Sequence, residues 1–235
     1  HTNWCGFYRI GGFFMKYKSV FDIIGPVMVG PSSSHTAGSV RIGLTARNLF
    51  GEQPDKVDIY LYGSFRDTYR GHATDVALVG GVLGYNTDDS RIIHALDHAK
   101  EQGMTINIIE MMEERSHPNT ALLHLFKGEE ELMVEGISIG GGKIQLVSIN
   151  DYPISISGNY HALLVFHVDE FGTIADVTAI LKDQKVNIGN MNVSRKEVGQ
   201  IALMTIELDG SIEKSTVDKI NSTKGVKRVI ELHGD

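Results

Sequence analysis

Positions 32–36 of the chain place four hydroxyls and one imidazole side by side: Ser32, Ser33, Ser34, His35 and Thr36, within the stretch GPVMVGPSSSHTAGSVRIG. Each hydroxyl both donates and accepts a hydrogen bond. A helix opening near His35–Thr36 adds unpaired backbone N–H groups aimed at the same point. Such a loop suits a carboxylate ligand. His35, with an ordinary pKa of about 6.5, can take up and return a proton near neutrality. By composition alone a Ser/Gly/Pro-rich loop is more often a solvated connection, so this reading needs support from the rest of the chain.

Three further segments carry groups of the same kind. In GSFRDTYRGHATD (63–75), His72 lies between Gly71 and Ala73, with Asp67 and Asp75 close enough in sequence to orient it. Arg66 and Arg70 either fork onto a carboxylate or face water. In RSHPNTAL (115–122), His117 precedes Pro118, with Asn119 and Thr120 as further hydrogen-bonding groups. SIGGGKI (138–144) either cradles an anion or makes a bulge, and it lacks the Gly-Lys-Ser/Thr ending of a nucleotide loop. His94 and His98 stand one helical turn apart, a metal-like spacing without an evident third ligand, and read as surface or interface residues. A Ser34 nucleophile with His35 as base is disfavoured, because adjacent residues rarely align and Ser34, with Ser32 and Thr36 two positions away on either side, does not stand in a G-x-S-x-G elbow. Lys143 is the nearest candidate for a Schiff base, and its context does not support one.

The elements that must position these groups follow from periodicity. The spacing predicts a short strand or turn at 20–25, a helix over 36–51 ending at Gly51, and a half-buried strand at 56–63. Residues 67–84 read as a loop leading into a helix whose small residues permit close helix–sheet contact. A second helix is expected over 91–103, then strands at 104–111, 120–128, 131–142 and 143–150, the last three as a meander. This is an α+β mixture. A linker rich in turn formers is expected at 151–160. From 161 the order is strand (162–168), helix (174–184), hairpin (186–195 with 199–210), helix (213–223) and strand (226–232). That βαββαβ order is the ferredoxin-like split βαβ.

Composition narrows the class of partner. With 235 residues, 42% hydrophobic and 22% charged, the chain is globular in composition. Its net charge of −7 and scattered lysines and arginines disfavour nucleic acid. No apolar run approaches the roughly 20 residues of a membrane helix, so no membrane partner is expected. The single cysteine, Cys5, excludes an internal disulfide and a self-contained iron–sulfur or thiolate zinc site, and fits a reducing, cytoplasmic setting. Residues 1–14 lack an amphipathic period and precede MKYKSVFDIIG, which reads like a natural start. Gly11-Gly12, whose codons begin GG, then reads as a translated ribosome-binding sequence, and the segment as upstream sequence.

Two resemblances follow from these motifs. The βαββαβ order with VDEFGTIADVTAIL and VNIGNMNVSR resembles an ACT domain, a regulatory module of amino-acid-metabolising enzymes. The likeness implies an effector site at Asp169 and Gly172, or alternatively a domain that only self-associates or docks. The ordered set GPVMVGPSSSHTAGSVRIG, GSFRDTYRGHATDVALVGGVLG, HPNT and SIGGG, followed by the ACT-like tail, resembles the beta chain of bacterial iron–sulfur-dependent L-serine dehydratase from Met15 onward. The N-terminal region is also similar to the allosteric substrate-binding domain of some phosphoglycerate dehydrogenases.

The resemblance implies an L-serine ammonia-lyase yielding pyruvate, an enzyme of amino-acid degradation and gluconeogenesis. It implies an alpha-chain partner whose cysteines hold a 4Fe-4S cluster, and neither PLP nor a metal site on this chain. In that family a Lewis-acidic iron loosens the substrate hydroxyl while a base takes the α-proton. His35 is assigned the base role, with His72 and His117 behind it. Ser32, Ser33, Ser34, Thr36, Asp75 and Asn119 are assigned to substrate binding. The competing reading is a non-catalytic, amino-acid-sensing regulatory subunit.

Overall fold

The hydroxyl-rich segment does not remain a loop. In this computed structural model, which describes residues 28–158 and 160–233, Ser33–Ala37 form a π-helical turn that runs directly into α1 (Gly38–Phe50). Gly51 stops α1 in the left-handed conformation, with φ 92°. Next come β1 (Lys56–Tyr62), α2 (Gly63–His72) and α3 (Thr74–Val82), the two helices separated by a left-handed Ala73 at φ 54°. A 3-10 turn, Ser90–His94, leads into α4 (Ala95–Glu101). The strands β2 (Thr105–Glu110), β3 (Thr120–Lys127), β4 (Glu130–Gly140), β5 (Lys143–Ile149) and β6 (Tyr152–Ser157) complete the first unit.

These strands form one sheet in the order β2-β1-β3-β4-β5-β6. β1 and β2 are parallel, as their helical crossover requires, and the other neighbours are antiparallel. Alternation sorts the side chains: Val57, Ile59 and Leu61 are buried, whereas Lys56, Asp58 and Tyr60 are half-buried on the other face. Ile59 sits opposite Leu123, and Leu123 opposite Val134, giving one apolar row across three strands. α1 crosses this face at Gly136, where a Cβ would stand 3.1 Å from the Ile42 side chain.

Helix α3 is apolar on nearly all sides and accordingly buried. It crosses α1 backbone to backbone. A Cβ at Gly43 would lie 2.1 Å from Leu78 O, and one at Gly81 2.1 Å from Val40 O. The small residues of 67–84 thus serve a helix–helix approach, not the helix–sheet contact expected.

The second unit contains β7 (His161–Val168), α5 (Thr173–Asp183), β8 (Ile188–Arg195), β9 (Ile201–Leu208), α6 (Lys214–Asn221) and β10 (Val226–Leu232). Its sheet order, β10-β7-β9-β8, is antiparallel throughout, and the ferredoxin-like reading holds. Leu163, Val165, Met204 and Ile206 pack with Val177 and Leu181 of α5 and Ile220 of α6. The opposite face is covered at its centre, where Ala162, Leu164, Leu203, Ile230 and Leu232 join the core of the first unit, while Asn190, Asn192 and Arg228 on the flanking strands stay exposed. A strand buried on both faces accounts for the unbroken apolar run ALLVF in β7.

Three expectations are corrected. Residues 63–72 form helix α2, where the stretch from 67 reads as a loop, because a polar helix anchored only by Phe65 and Tyr69 shows little periodicity. The 91–103 helix opens as a 3-10 turn through His94. The 151–160 segment, expected as a linker, carries β6, which pairs with β5 and is bonded to the second unit through Tyr152 Oη–H to Ile201 O at 3.0 Å. The expected element at 20–25 and the upstream reading of 1–14 lie outside the described residues.

Candidate active site

The π turn is built by its own serines. Ser32, in extended backbone, caps it: its Oγ accepts the His35 N–H at 3.1 Å and its carbonyl accepts the Thr36 N–H at 2.8 Å. The Gly38 N–H reaches Ser33 O, the wide i to i+5 bond that defines the turn. Such turns recur at functional sites because they aim a side chain that a regular helix would carry elsewhere.

Here the aimed side chain is His35. Its Nδ1 lies 3.0 Å from Ser34 Oγ, and its Nε2 lies 2.9 Å from Ser64 Oγ on α2. Ser34 Oγ is 3.3 Å from Ser32 Oγ. The result is a continuous hydroxyl–imidazole chain, Ser32–Ser34–His35–Ser64. Because a hydroxyl can donate or accept, the chain accommodates either neutral tautomer of the ring. The ring is further fixed by the Phe65 edge at 5.3 Å and by the His72 ring at 4.9 Å. Partial burial, and secondarily the charge His72 carries when protonated, hold the His35 pKa below its usual value. Near neutrality His35 is therefore a neutral imidazole able to accept a proton.

The other motifs gather around the π turn and the starts of α1 and α2. Thr36 Oγ1–H donates to His72 O at 3.2 Å, tying the π turn to the end of α2. The start of α2 rests on the HPNT segment: Phe65 N–H donates to Pro118 O at 3.4 Å, and a Cβ at Gly63 would meet that oxygen at 2.7 Å. Asn119 and Ser138 bind one another through Ser138 N–H to Asn119 O at 2.9 Å. Ser138 in turn stands against the start of α1, where a Cβ at Gly38 would lie 2.1 Å from its Oγ. GPSSSHT, GSFRDTYRGH, HPNT and SIGGG thus share one corner of the fold. Within these segments Ser138 Oγ, His72 Nδ1, Ser39 Oγ and Thr74 Oγ1 are buried without a protein partner. Buried polar atoms are normally satisfied, so this capacity fits a polar ligand.

Several assigned residues prove to be engaged structurally. His117 accepts the Asn119 N–H at Nδ1 (3.1 Å), which leaves its proton on Nε2 when neutral. Asp75 is taken up by its own helix: Oδ1 accepts the Val76 N–H at 2.9 Å, and burial pushes its pKa up. Ser33 contributes its carbonyl to the turn. Arg66 and Arg70 line an open groove of about 730 Å³ that also includes His72 and Glu110. Arg66 is paired with Asp67 at 2.7 Å and with Met111 O at 3.0 Å. His98 Nδ1 is within 3.0 Å of Tyr85 Oη, in keeping with a structural role.

Two contributors escape sequence reading. Ser64 is an ordinary serine in a polar stretch, and only the fold brings it beside His35. Arg41 donates to Gly142 O at 2.9 Å and Gly158 O at 3.3 Å, linking α1 to the triple-glycine turn and to the junction of the two units.

In the second unit, Asp169 accepts from the Gly199 N–H (3.2 Å) and from Arg195 Nη1 (3.0 Å), which in that order hold its carboxyl below the usual range. Gly172 opens α5 with φ 97°, and a Cβ there would meet no atom within 4 Å. The turn is open, and its acidic residue is already paired.

A family model described as Serine dehydratase beta chain matches residues 19–147, and one described as ACT domain matches residues 161–225. A Bacillus subtilis protein named "Probable L-serine dehydratase, beta chain" is 48% identical over 93% of this chain and 99% of its own length. The "L-serine dehydratase, beta chain" of Peptoniphilus asaccharolyticus is 37% identical over 86% and 91%. A D-3-phosphoglycerate dehydrogenase of Synechocystis is 26% identical over 79% of this chain and 34% of that protein.

Proposed function

This chain belongs to the serine dehydratase beta chain family and carries a C-terminal ACT domain, and from that premise we propose that it is the beta subunit of an iron–sulfur L-serine ammonia-lyase. Its substrate is L-serine and its products are pyruvate and ammonia. The partner is a cysteine-bearing alpha chain, and the setting is the cytoplasm. No described helix is long and apolar enough to cross a membrane.

Residues 28–158 and 160–233 include no thiol. The 4Fe-4S cluster therefore finds no cysteine ligands among the described residues, and its ligation is assigned to the alpha chain. What this chain supplies is a grip and a base. Ser32, Ser34 and Thr36, with Asn119 and the buried Ser138 hydroxyl, hold the serine carboxylate and amine. Neutral His35 removes the α-proton through the ring nitrogen from which the bound substrate displaces a hydroxyl, and the hydroxyl on the other nitrogen steadies the resulting imidazolium by accepting its N–H. Loss of water from the substrate leaves aminoacrylate, whose tautomeric imine hydrolyses to pyruvate and ammonia.

The observation that carries this reading is the suspension of His35 between two hydroxyls on separate elements, at 3.0 and 2.9 Å. Anaerobic co-expression with the cysteine-bearing partner, followed by a pyruvate assay on L-serine, tests it. Activity only in the presence of both chains is the expected result. Deamination by this chain alone, freed of metal, would end the proposal.

A sensing role is the second reading, favoured by one observation: much of this chain is shared with an enzyme named for a different reaction, D-3-phosphoglycerate dehydrogenase. Under that reading the His35 corner binds an amino acid without reacting with it. Substrate protection of the isolated chain combined with full turnover by a His35 variant would establish it.

A further inference from the structure

We propose that His161, Glu231 and His233 form a binding site for a first-row divalent transition ion of the zinc type, at the outer end of β7 and β10. One ligating atom from each of the three lies within 4.8 Å of the others. This departs from the expectation that the chain carries no metal ligands.

The placement follows from strand pairing. Ala162 is opposite Leu232 in the antiparallel β7–β10 ladder, so the next step outward sets His161 across from His233. Glu231 lies two residues before His233, and side chains two apart share a face. It is itself paired with Leu163, which packs in the helix-covered core of the second unit. All three side chains therefore project on that helix-covered side, beyond the last apolar layer. The His161 and His233 rings meet edge to face at 5.6 Å, and His233 Nδ1 is 3.6 Å from Glu231 Oε1.

A second observation points to a ligand. His161 Nδ1 is buried and has no hydrogen-bond partner. Leaving such an atom unpaired is unfavourable, and a bound cation would satisfy it. Two imidazoles with one carboxylate form a borderline nitrogen–oxygen set, suited to zinc or cobalt and poor for calcium or magnesium, which take oxygen ligands. Three protein ligands leave a fourth position for water. His233 is exposed and Glu231 half-buried at a strand end, so rotation of their side chains brings them to the roughly 2.0–2.2 Å bond lengths of such ions. The ion would clip the end of the last strand to the first strand of the ACT domain, beside the junction of the two units.

The test is titration of the full chain with Co(II), read by visible absorption and by displacement with Zn(II). The expected result is one equivalent bound with weak ligand-field bands and no thiolate charge-transfer band. The last point separates this site from adventitious binding at Cys5. His233→Ala, an exposed position that leaves the core untouched, should weaken binding by at least about tenfold, the lower end of what loss even of a supporting contact costs. Glu231→Gln should do the same. Unchanged affinity in both variants, or no stoichiometric binding by the wild-type chain, overturns the proposal. Neither result depends on catalysis, so the site and the proposed activity stand or fall separately.

Discussion

Gly81→Ala adds one methyl group where α3 meets α1, and the structure fixes what that methyl encounters. Its carbon would stand 2.1 Å from Val40 O and 2.5 Å from Leu44 N, both backbone atoms. No side-chain rotation relieves either contact. Restoring even a 3.0 Å separation from Val40 O requires the helices to part by about 0.9 Å. Overpacking in a close-packed interior costs about 1–3 kcal/mol, and a backbone clash belongs at the upper end. For a chain of this size each kcal/mol moves Tm by about 2–4 °C, so a fall of about 6–12 °C is expected. Gly71→Ala is the internal control. It lies in helix α2, and its Cβ would meet nothing within 4 Å. There alanine should stabilise by about 0.5 kcal/mol through helix propensity and a less disordered unfolded chain. Thermal unfolding followed by circular dichroism compares the two. A Gly81→Ala chain melting at or above the wild-type temperature would refute the packing argument, since one substitution at two glycines must move Tm in opposite directions.

Other consequences concern the reacting corner. Because burial and His72 both lower the His35 pKa, the acid limb of kcat/KM in the reconstituted complex should lie below pH 6.5. His72→Asn removes the repelling charge and should move that limb upward, though not fully, since burial is the larger cause. A limb that stays fixed or moves down would contradict the assignment. Ser64→Ala deletes the hydroxyl 2.9 Å from His35 Nε2. At about 0.5–1.5 kcal/mol for such a bond, kcat should fall by roughly two- to tenfold, with KM little changed. An unaltered kcat would show that the bond does not position the ring.

Most elements were legible in the sequence because their patterns are local. The alternation of KVDIYLY and the amphipathic period of IADVTAILKD each report one buried face. Helix α2 escaped because its contact with the core rests on Phe65 and Tyr69 alone, an i, i+4 pair inside a polar segment. β6 escaped because its turn-forming residues resemble a linker until β5 is there to pair with them. The hydroxyl cluster at 32–36 was visible as composition, and its capping role follows from residue type. The partnership of His35 with Ser64 spans 29 positions and exists only after α2 docks. Asp75 stands near His72 in sequence, yet its carboxylate accepts the Val76 N–H within the first turn of α3. The Asp169 carboxylate, read as an effector contact, is held by Arg195 and Gly199, partners that a hairpin far along the chain delivers.

The account rests on His35 as the proton acceptor, and the direct measurement is kcat for L-serine with His35→Ala in the assembled alpha–beta complex. Removing a positioned general base should lower kcat by about 10²- to 10⁴-fold, while the iron–sulfur absorption and subunit assembly stay as in wild type. Retention of wild-type kcat, with or without a raised KM, would contradict it and leave His35 a binding residue.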